Sequence, residues 1–147
     1  MLMTEHLMAL FKRDLEKLIA ELEAYTDEHK LWVRAGEVKN PAGNLVLHLH
    51  GNLNMFVGKV LGNLEFVRDR EAEFSRSNVP RAELIAMVQA TIAMLERVLP
   101  SLNAEDLEKP YPLEVLGYPM TTGYFLIHLY GHLNWHLGQV NYHRRLV

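Results

Sequence analysis

The sequence predicts an all-α protein that folds as a four-helix bundle, in a single domain covering residues 1–147. Apolar residues recur every three or four positions in four long segments, a spacing typical of helices that bury one face. Proline and glycine are frequent between these segments, and no segment convincingly alternates apolar with polar residues as a half-buried strand does. A chain of this length is also long enough to bury a substantial core.

The first two helices are each predicted from one apolar face. Helix one covers about residues 4–32, and its face consists of Leu7, Phe11, Leu15, Leu18, Leu22 and Tyr25. Helix two covers about residues 44–66, with Asn40-Pro41 or Asn44 as its start signal, and its face consists of Leu45, Leu49, Leu53, Phe56, Val60 and Leu64. The strongly charged segment 68–78 is interpreted as a solvated linker.

Proline marks both ends of the third helix. Pro80 is predicted to open it and Pro100 to end it, and its apolar face consists of Leu84, Val88, Thr91, Leu95 and Val98. Residues 101–120 contain three further prolines and are predicted to hold no helix. The fourth helix covers about residues 121–145 and is capped by one of two threonines. Because two of the connections are long, the sequence pattern alone leaves the topology of the bundle open.

Composition argues against several functional classes. The formal charge is −3 and the lysines and arginines form no basic block, which argues against nucleic acid as a partner. No apolar run approaches 18 residues and the N-terminus lacks a signal-peptide cleavage site, so we expect a cytoplasmic protein with no membrane partner. The chain has no cysteine, and therefore a metal ion would have to be bound by His, Asp or Glu.

Three histidines in the fourth helix form the most informative motif. His128, His132 and His136 are spaced four apart, and each step of four turns a helix by only about 40°, so the rings share one face. Two neighbouring rings are close enough to bind one metal ion, whereas the whole column is longer than a coordination sphere. The spacing does not decide whether the binding pair is His128 with His132 or His132 with His136.

A catalytic zinc or nickel site needs a third protein ligand and one open position. His48 is the best candidate because it lies beside the apolar face of helix two, whereas His50 points about 200° away from it. The alternative interpretation is that these histidines are core residues held by ordinary hydrogen bonds. We favour a metal site because burying several imidazoles without partners costs free energy each time.

Two familiar classes of metalloenzyme do not fit the sequence. The segment from His132 to His136 has the zincin spacing, but Leu133 stands where a metalloprotease needs its general-base glutamate. The chain has no Glu-x-x-His pair, which argues against a ferritin-like di-iron site. Trp135, between the two histidines, is interpreted as a packing or interface residue.

The segments Asn44-Leu-Val-Leu-His48-Leu-His-Gly-Asn52-Leu and His132-Leu-Asn-Trp-His136-Leu-Gly138-Gln139-Val resemble the DinB-like superfamily. The resemblance covers nearly the whole chain and implies a bundle of up-down-down-up topology, usually a homodimer. It also implies a divalent metal, zinc or nickel, held by three histidines. Matched residue by residue, these ligands are His48, His132 and His136. Gln139 matches the glutamine of the motif, and with Asn52 and His128 it is a candidate to support the ligands or to line the pocket.

Characterised proteins in this superfamily include thiol S-transferases that use bacillithiol, mycothiol or glutathione, and a maleylpyruvate isomerase. The resemblance therefore implies a metal-dependent enzyme for a small-molecule substrate, either a thiol transferase with a low-molecular-weight thiol as co-substrate or a hydrolase. The sequence offers no clear general-base carboxylate, which fits thiol chemistry slightly better. The alternative is a non-catalytic bundle in which the metal joins helix two to helix four and which acts as a stress-response dimerisation or binding protein.

Overall fold

The computed structural model describes residues 2–147, and its frame is built from four long helices. These are α1 (Met3–Ala24), α2 (Ala42–Leu53), α4 (Arg81–Val98) and α6 (Thr122–Leu146). Two short helices lie in the connections, namely α3 (Arg70–Ser75) and α5 (Ala104–Glu108). The prediction of an all-α four-helix bundle is confirmed. No helix among the described residues combines the length and apolarity needed to span a membrane.

Each long helix packs against two others, so that α1 and α2 both contact α4 and α6 and lie diagonally opposite each other. α1 and α6 run in the same direction, because successive contacts advance along both helices. Tyr130 donates a 2.5 Å hydrogen bond to the carboxylate of Asp14, and further along Tyr25 contacts His143 at 2.6 Å.

Contacts between α1 and α4 show that these two helices run in opposite directions. Lys12, in the first half of α1, forms a 2.9 Å ion pair with Glu96 near the end of α4. Arg81, at the start of α4, instead donates a hydrogen bond to the carbonyl of Glu23 near the end of α1.

α2 runs antiparallel to α6, which completes the topology. Phe56, just beyond the end of α2, packs on Phe125 near the start of α6. His48, in the middle of α2, meets His132 in the middle of α6. Since α6 is parallel to α1 and α4 is antiparallel to it, the four helices run up, down, down and up, as the family resemblance implied.

The predicted apolar faces form the core. On α1 the whole predicted face is buried, and on α4 the same holds for all five predicted positions. The side chains that are almost completely excluded from solvent come from all four long helices; they include Phe11, Leu15, Leu18, Leu22, Leu49, Leu53, Leu84, Leu95, Phe125 and Leu126. Burial of this kind supplies most of the stability of a bundle, because isolated helices of this length are marginal in water.

The first two helices are shorter than predicted. α1 ends at Ala24, where Tyr25 is extended, and a separate 3₁₀ turn at Glu28–Trp32 begins as Asp27 accepts a hydrogen bond from the backbone of His29. Such a side-chain bond competes with helix continuation. α2 starts after Pro41, ends at Leu53 and continues as a π-helical segment, Asn54–Lys59, rather than as a regular helix to residue 66.

The two connections also differ from the prediction. The segment interpreted as a solvated linker contains α3, which starts where Asp69 accepts a hydrogen bond from the backbone of Ala72, and its Glu73 is buried. The segment predicted to hold no helix contains α5, because Asn103 and Asp106 form a capping box. The prolines of that segment lie beyond α5, so they do not interrupt it.

Candidate metal centre

Three imidazoles meet between α2 and α6. Nε2 of His132 lies 3.1 Å from Nε2 of His48 and 3.1 Å from Nε2 of His136. One ring nitrogen from each histidine lies within 4.8 Å of the corresponding atoms of the other two. The structure therefore brings together the three residues that the resemblance implied, and of the two pairs that spacing left open it selects His132 with His136.

Helix geometry explains this convergence. His132 and His136 stand one turn apart on the face of α6 that looks towards α2, and residues at that spacing are neighbours on a helix surface. His48 lies beside the buried leucines of α2 and is itself 7% exposed. Because the two helices pack antiparallel through their middles, the ring from α2 meets the pair from α6 with its Nε2 edge.

Hydrogen bonds on the outer edges of two rings fix which nitrogen faces the centre. Nδ1 of His48 lies 3.0 Å from a carboxylate oxygen of Glu73, and Nδ1 of His136 lies 2.7 Å from Oε1 of Gln139. Both oxygens are acceptors, so each Nδ1 carries the hydrogen and donates it. In the neutral ring the Nε2 lone pair then points inward, which is how hydrogen-bond acceptors orient histidine ligands of metals.

Glu73 is itself held in place. Arg68 binds its carboxylate with both Nε and a terminal nitrogen, at 2.8 and 3.0 Å. Burial would raise the pKa of Glu73, but the hydrogen bonds from His48 and Arg68 hold that pKa below its usual value. The group is therefore an anion at neutral pH, and it stabilises the Nδ1–H form of His48. Phe74 packs beside the ring of His48, with centroids 5.0 Å apart.

The surroundings of the third ring, that of His132, keep it neutral. Burial, together with the charges of His136 and His48, lowers the pKa of His132 to about 3, and burial also lowers the pKa of His136. Both rings are thus neutral at pH 7, which is the form that binds metals. Nε2 of His132 faces the centre, whereas its Nδ1, on the other edge of the ring, is buried and has no hydrogen-bond partner within residues 2–147.

The donor set fits a divalent cation. With Nδ1 protonated on His48 and on His136, the central ring can donate a hydrogen to only one of its two neighbours, so the other contact places two lone pairs face to face. A tetrahedral ion with bonds of about 2.0–2.1 Å places its ligand nitrogens about 3.4 Å apart, close to the 3.1 Å contacts. A cation satisfies all three lone pairs together.

The other histidines of α2 and α6 have different surroundings. Nδ1 of His50 faces α4, 3.0 Å from the hydroxyl of Thr91, so the prediction that it points away from His48 is confirmed. His143 is buried between the hydroxyl of Tyr25 and the carbonyl of Val33, at 2.6 and 2.7 Å. Those two partners occupy both of its nitrogens, which leaves no lone pair for a metal.

A polar cavity of about 210 Å³ opens beside the centre. Its wall includes two of the three clustered histidines, His48 and His132, and also the three residues His128, Asn52 and Arg68. The exposed His128 ring stacks between Phe125 and His132. A second cavity of about 430 Å³ touches the remaining cluster residue and its hydrogen-bond partner, His136 and Gln139. The candidate supporting and pocket residues therefore all lie at the site.

Sequence reasoning missed Glu73 and Arg68, which it assigned to a solvated charge run. Their segment is too short to show a helical face, and a buried carboxylate looks like an exposed one in a sequence. Gly51 offers a structural signal, because a Cβ at this position would come within 2.0 Å of the Glu73 carboxylate. Glycine thus lets α3 approach α2 closely enough for Glu73 to reach His48.

The fold and the site together define a class of protein, namely a four-helix bundle with a three-histidine cluster that could hold a metal ion. Residues 10–140 match the sequence profile of the DinB superfamily, and the chain belongs to that superfamily. The fold is similar to the crystal structure of a conserved protein from Enterococcus faecalis, with a TM-score of 0.81 and 18% identity over 100% of this chain and 98% of that chain. Comparison with curated proteins gave no significant match.

Proposed function

We propose that the protein is a divalent-metal-dependent enzyme in which His48, His132 and His136 bind zinc or nickel. The observation that carries this proposal is the convergence of three Nε2 atoms beside a polar cavity. Neutral imidazoles suit both metals, and three protein ligands are the number found at catalytic sites that keep a position open. The bound ion would supply Lewis-acid chemistry by lowering the pKa of a coordinated thiol or water towards neutrality.

Thiol S-transfer is the reaction we propose, in preference to hydrolysis. Hydrolysis usually requires a general base close to the reacting water, and no carboxylate within residues 2–147 lines the cavity beside His48 and His132. Glu73 is the carboxylate that contacts the histidine cluster, and it is already bonded to His48 and Arg68. Glu37 lines the larger cavity beside His136, but it is exposed to solvent. A low-molecular-weight thiol that loses its proton at neutral pH needs no separate base, so this donor set suits a thiol co-substrate.

Elemental analysis of untagged protein tests the metal site. We expect about one zinc or nickel ion per chain, lost in His48→Ala and retained in His50→Ala, a matched control two residues away whose side chain faces α4. Absence of metal, or its retention in His48→Ala, would overturn the proposed site. Loss in both variants would point to an effect of folding, which circular dichroism of each variant would reveal.

A thiol-transfer assay tests the reaction. We expect the metal-loaded protein to accelerate transfer of bacillithiol, mycothiol or glutathione to an electrophilic dye such as monochlorobimane, and His132→Ala to abolish the acceleration. Stoichiometric metal without transfer from any of the three thiols would favour a different function, in which the ion joins α2 to α6 in a non-catalytic binding protein.

We also propose that the protein forms a homodimer through the outer face of α6. Five large apolar side chains project from this face, and Gly131 and Gly138 lie among them; the apolar residues are Tyr124, Ile127, Trp135, Tyr142 and Leu146. All seven positions fall within about 100° around the helix. Contiguous apolar surface of this kind is typical of interaction sites, and glycines let two helices approach closely.

A further inference from the structure

The cavity beside His48 and His132 carries an excess of positive charge. Arg68 and Arg70 both line it, and no carboxylate within residues 2–147 does so. The charge of Arg68 is balanced by Glu73, and its guanidinium also lies over the ring of Phe56 at 5.5 Å. The excess therefore resides on Arg70.

Arg70 is free to bind a ligand. It is the first residue of α3, its side chain is exposed, and it forms no ion pair within 4 Å in the part of the chain that the structure describes. An arginine presents a planar set of donors that matches a carboxylate, and such charge-assisted hydrogen bonds are about twice as strong as neutral ones.

Asn52 adds an independent observation. It stands one turn after His48 on α2, is 8% exposed and lines the same cavity. Its Oδ1 is buried and accepts no hydrogen bond from any residue between 2 and 147. Buried polar atoms of this kind cost free energy when they stay unpaired. A rotation of the amide about χ2 would turn this oxygen to the cavity, where a hydrogen-bond donor on a ligand would pair with it.

We propose that this cavity binds a small organic acid, whose carboxylate pairs with Arg70 and whose hydroxyl or amide group donates a hydrogen bond to Asn52. The cavity, at about 210 Å³, admits a molecule of a few carbon atoms or one end of a larger one. This assignment rests on the proposed function only in treating the cavity as the substrate site.

Two thiols that differ in one group test the proposal. 3-Mercaptolactate carries a thiol, a hydroxyl and a carboxylate, and thioglycerol replaces that carboxylate by a hydroxymethyl group. Titrations of the cobalt-loaded protein, followed by thiolate-to-cobalt absorption, give a Kd for each thiol. We expect 3-mercaptolactate to bind about tenfold more tightly, the ratio that one charge-assisted pair supplies. Equal affinities would overturn the proposal.

Two charge-matched variants locate the anion. In Arg70→Gln the preference for 3-mercaptolactate should fall to about twofold or less, while the Kd of thioglycerol stays unchanged. In Arg76→Gln the preference should persist, because Arg76 is equally charged but lines a different cavity and pairs with Glu83. If the preference survives in Arg70→Gln, or disappears equally in both variants, Arg70 is not the specific partner of the carboxylate. The preference would then reflect the overall charge of the protein, and the proposal would be overturned.

Lactate, which has no thiol, separates this proposal from thiol transfer. Calorimetric titration of lactate into metal-loaded and metal-free protein should show weak binding that Arg70→Gln reduces and that Asn52→Leu reduces as well. If neither thiol reaches the cobalt but lactate binding depends on Arg70, the thiol reaction fails and the acid site stands. If lactate binding is absent or independent of Arg70, the acid site itself is wrong.

Discussion

Nδ1 of His48 lies 3.0 Å from the carboxylate of Glu73, although the two residues are 25 positions apart and belong to different helices. The contact needs the glycine at position 51, which leaves room for the carboxylate, and Arg68, which holds the carboxylate from its other side. The charge of Glu73 keeps the Nδ1 hydrogen in place and therefore directs Nε2 of His48 towards the centre.

Glu73→Gln should weaken metal binding without removing the ligands. The amide carries no charge to favour the Nδ1–H form, and outer-shell partners of this kind are worth about 10–100-fold in metal affinity. Competition with a chromophoric chelator measures the change. Glu71→Gln is the matched control, because Glu71 is exposed on the same short helix. The metal affinity of this variant should equal that of the wild type. Equal affinities in both variants would show that Glu73 does not orient His48.

The depressed pKa of His132 predicts how the metal-free protein responds to acid. Its value is about 3 in the folded state and near 6.5 in an unfolded chain, so between these limits the unfolded state binds more protons. The free energy of unfolding should therefore rise with pH in this window, by about 1.4 kcal/mol per pH unit for one such group. This contribution is lost progressively as pH falls below about 6.5.

Urea unfolding with a chelator present, at pH 7 and at pH 5, measures this dependence. We expect the free energy of unfolding of the wild type to fall by roughly 1–2 kcal/mol between these pH values. His132→Gln has no titrating group at this position and should lose correspondingly less. If the variant and the wild type show the same pH dependence, the charge state of His132 does not change on folding.

The spacing of apolar residues predicted the helices that build the site, because a long amphipathic helix places an apolar residue on its buried face at every turn. The i, i+4 spacing of His132 and His136 and the position of His48 beside leucines are both of this kind. Spacing alone could not choose between two pairs on α6. The choice depends on the level at which α2 crosses α6, which is a tertiary contact.

The short helices were not predictable on the same grounds. α3 has six residues, fewer than two turns, which is too short for a recognisable apolar face. The burial of Glu73 on this helix also depends on His48, which lies 25 residues earlier in the chain. α5 is held by the capping box of Asn103 and Asp106 rather than by an apolar face. The resemblance singled out Asn52 as a pocket candidate, but only the structure reveals that its amide oxygen has no partner within the described residues.

Trp135→Glu should convert the proposed dimer into a monomer. Trp135 is 70% exposed in the middle of the apolar face of α6, and a buried unpaired carboxylate at an interface is strongly unfavourable. Light scattering coupled to size-exclusion chromatography measures the mass. Val67→Glu places the same charge on an apolar residue that is 91% exposed away from α6 and should leave the mass unchanged. A wild-type monomer, or a Trp135→Glu dimer, would contradict the proposed interface.

His143 provides a test of whether a histidine on α6 supports structure or binds metal. Its ring joins α6 to the hydroxyl of Tyr25 and the carbonyl of Val33, so His143→Ala removes a hydrogen-bond partner from each of them. We expect a loss of about 2–4 kcal/mol in the free energy of unfolding, with the metal content still near one ion per chain. His136→Ala should show the opposite pattern. Metal binding is lost, while the stability of the metal-free protein changes little, because the hydrogen bond of His136 to Gln139 is exposed to solvent. Denaturation of both variants with chelator, beside elemental analysis without it, distinguishes the two roles; loss of metal from folded His143→Ala would refute the structural assignment.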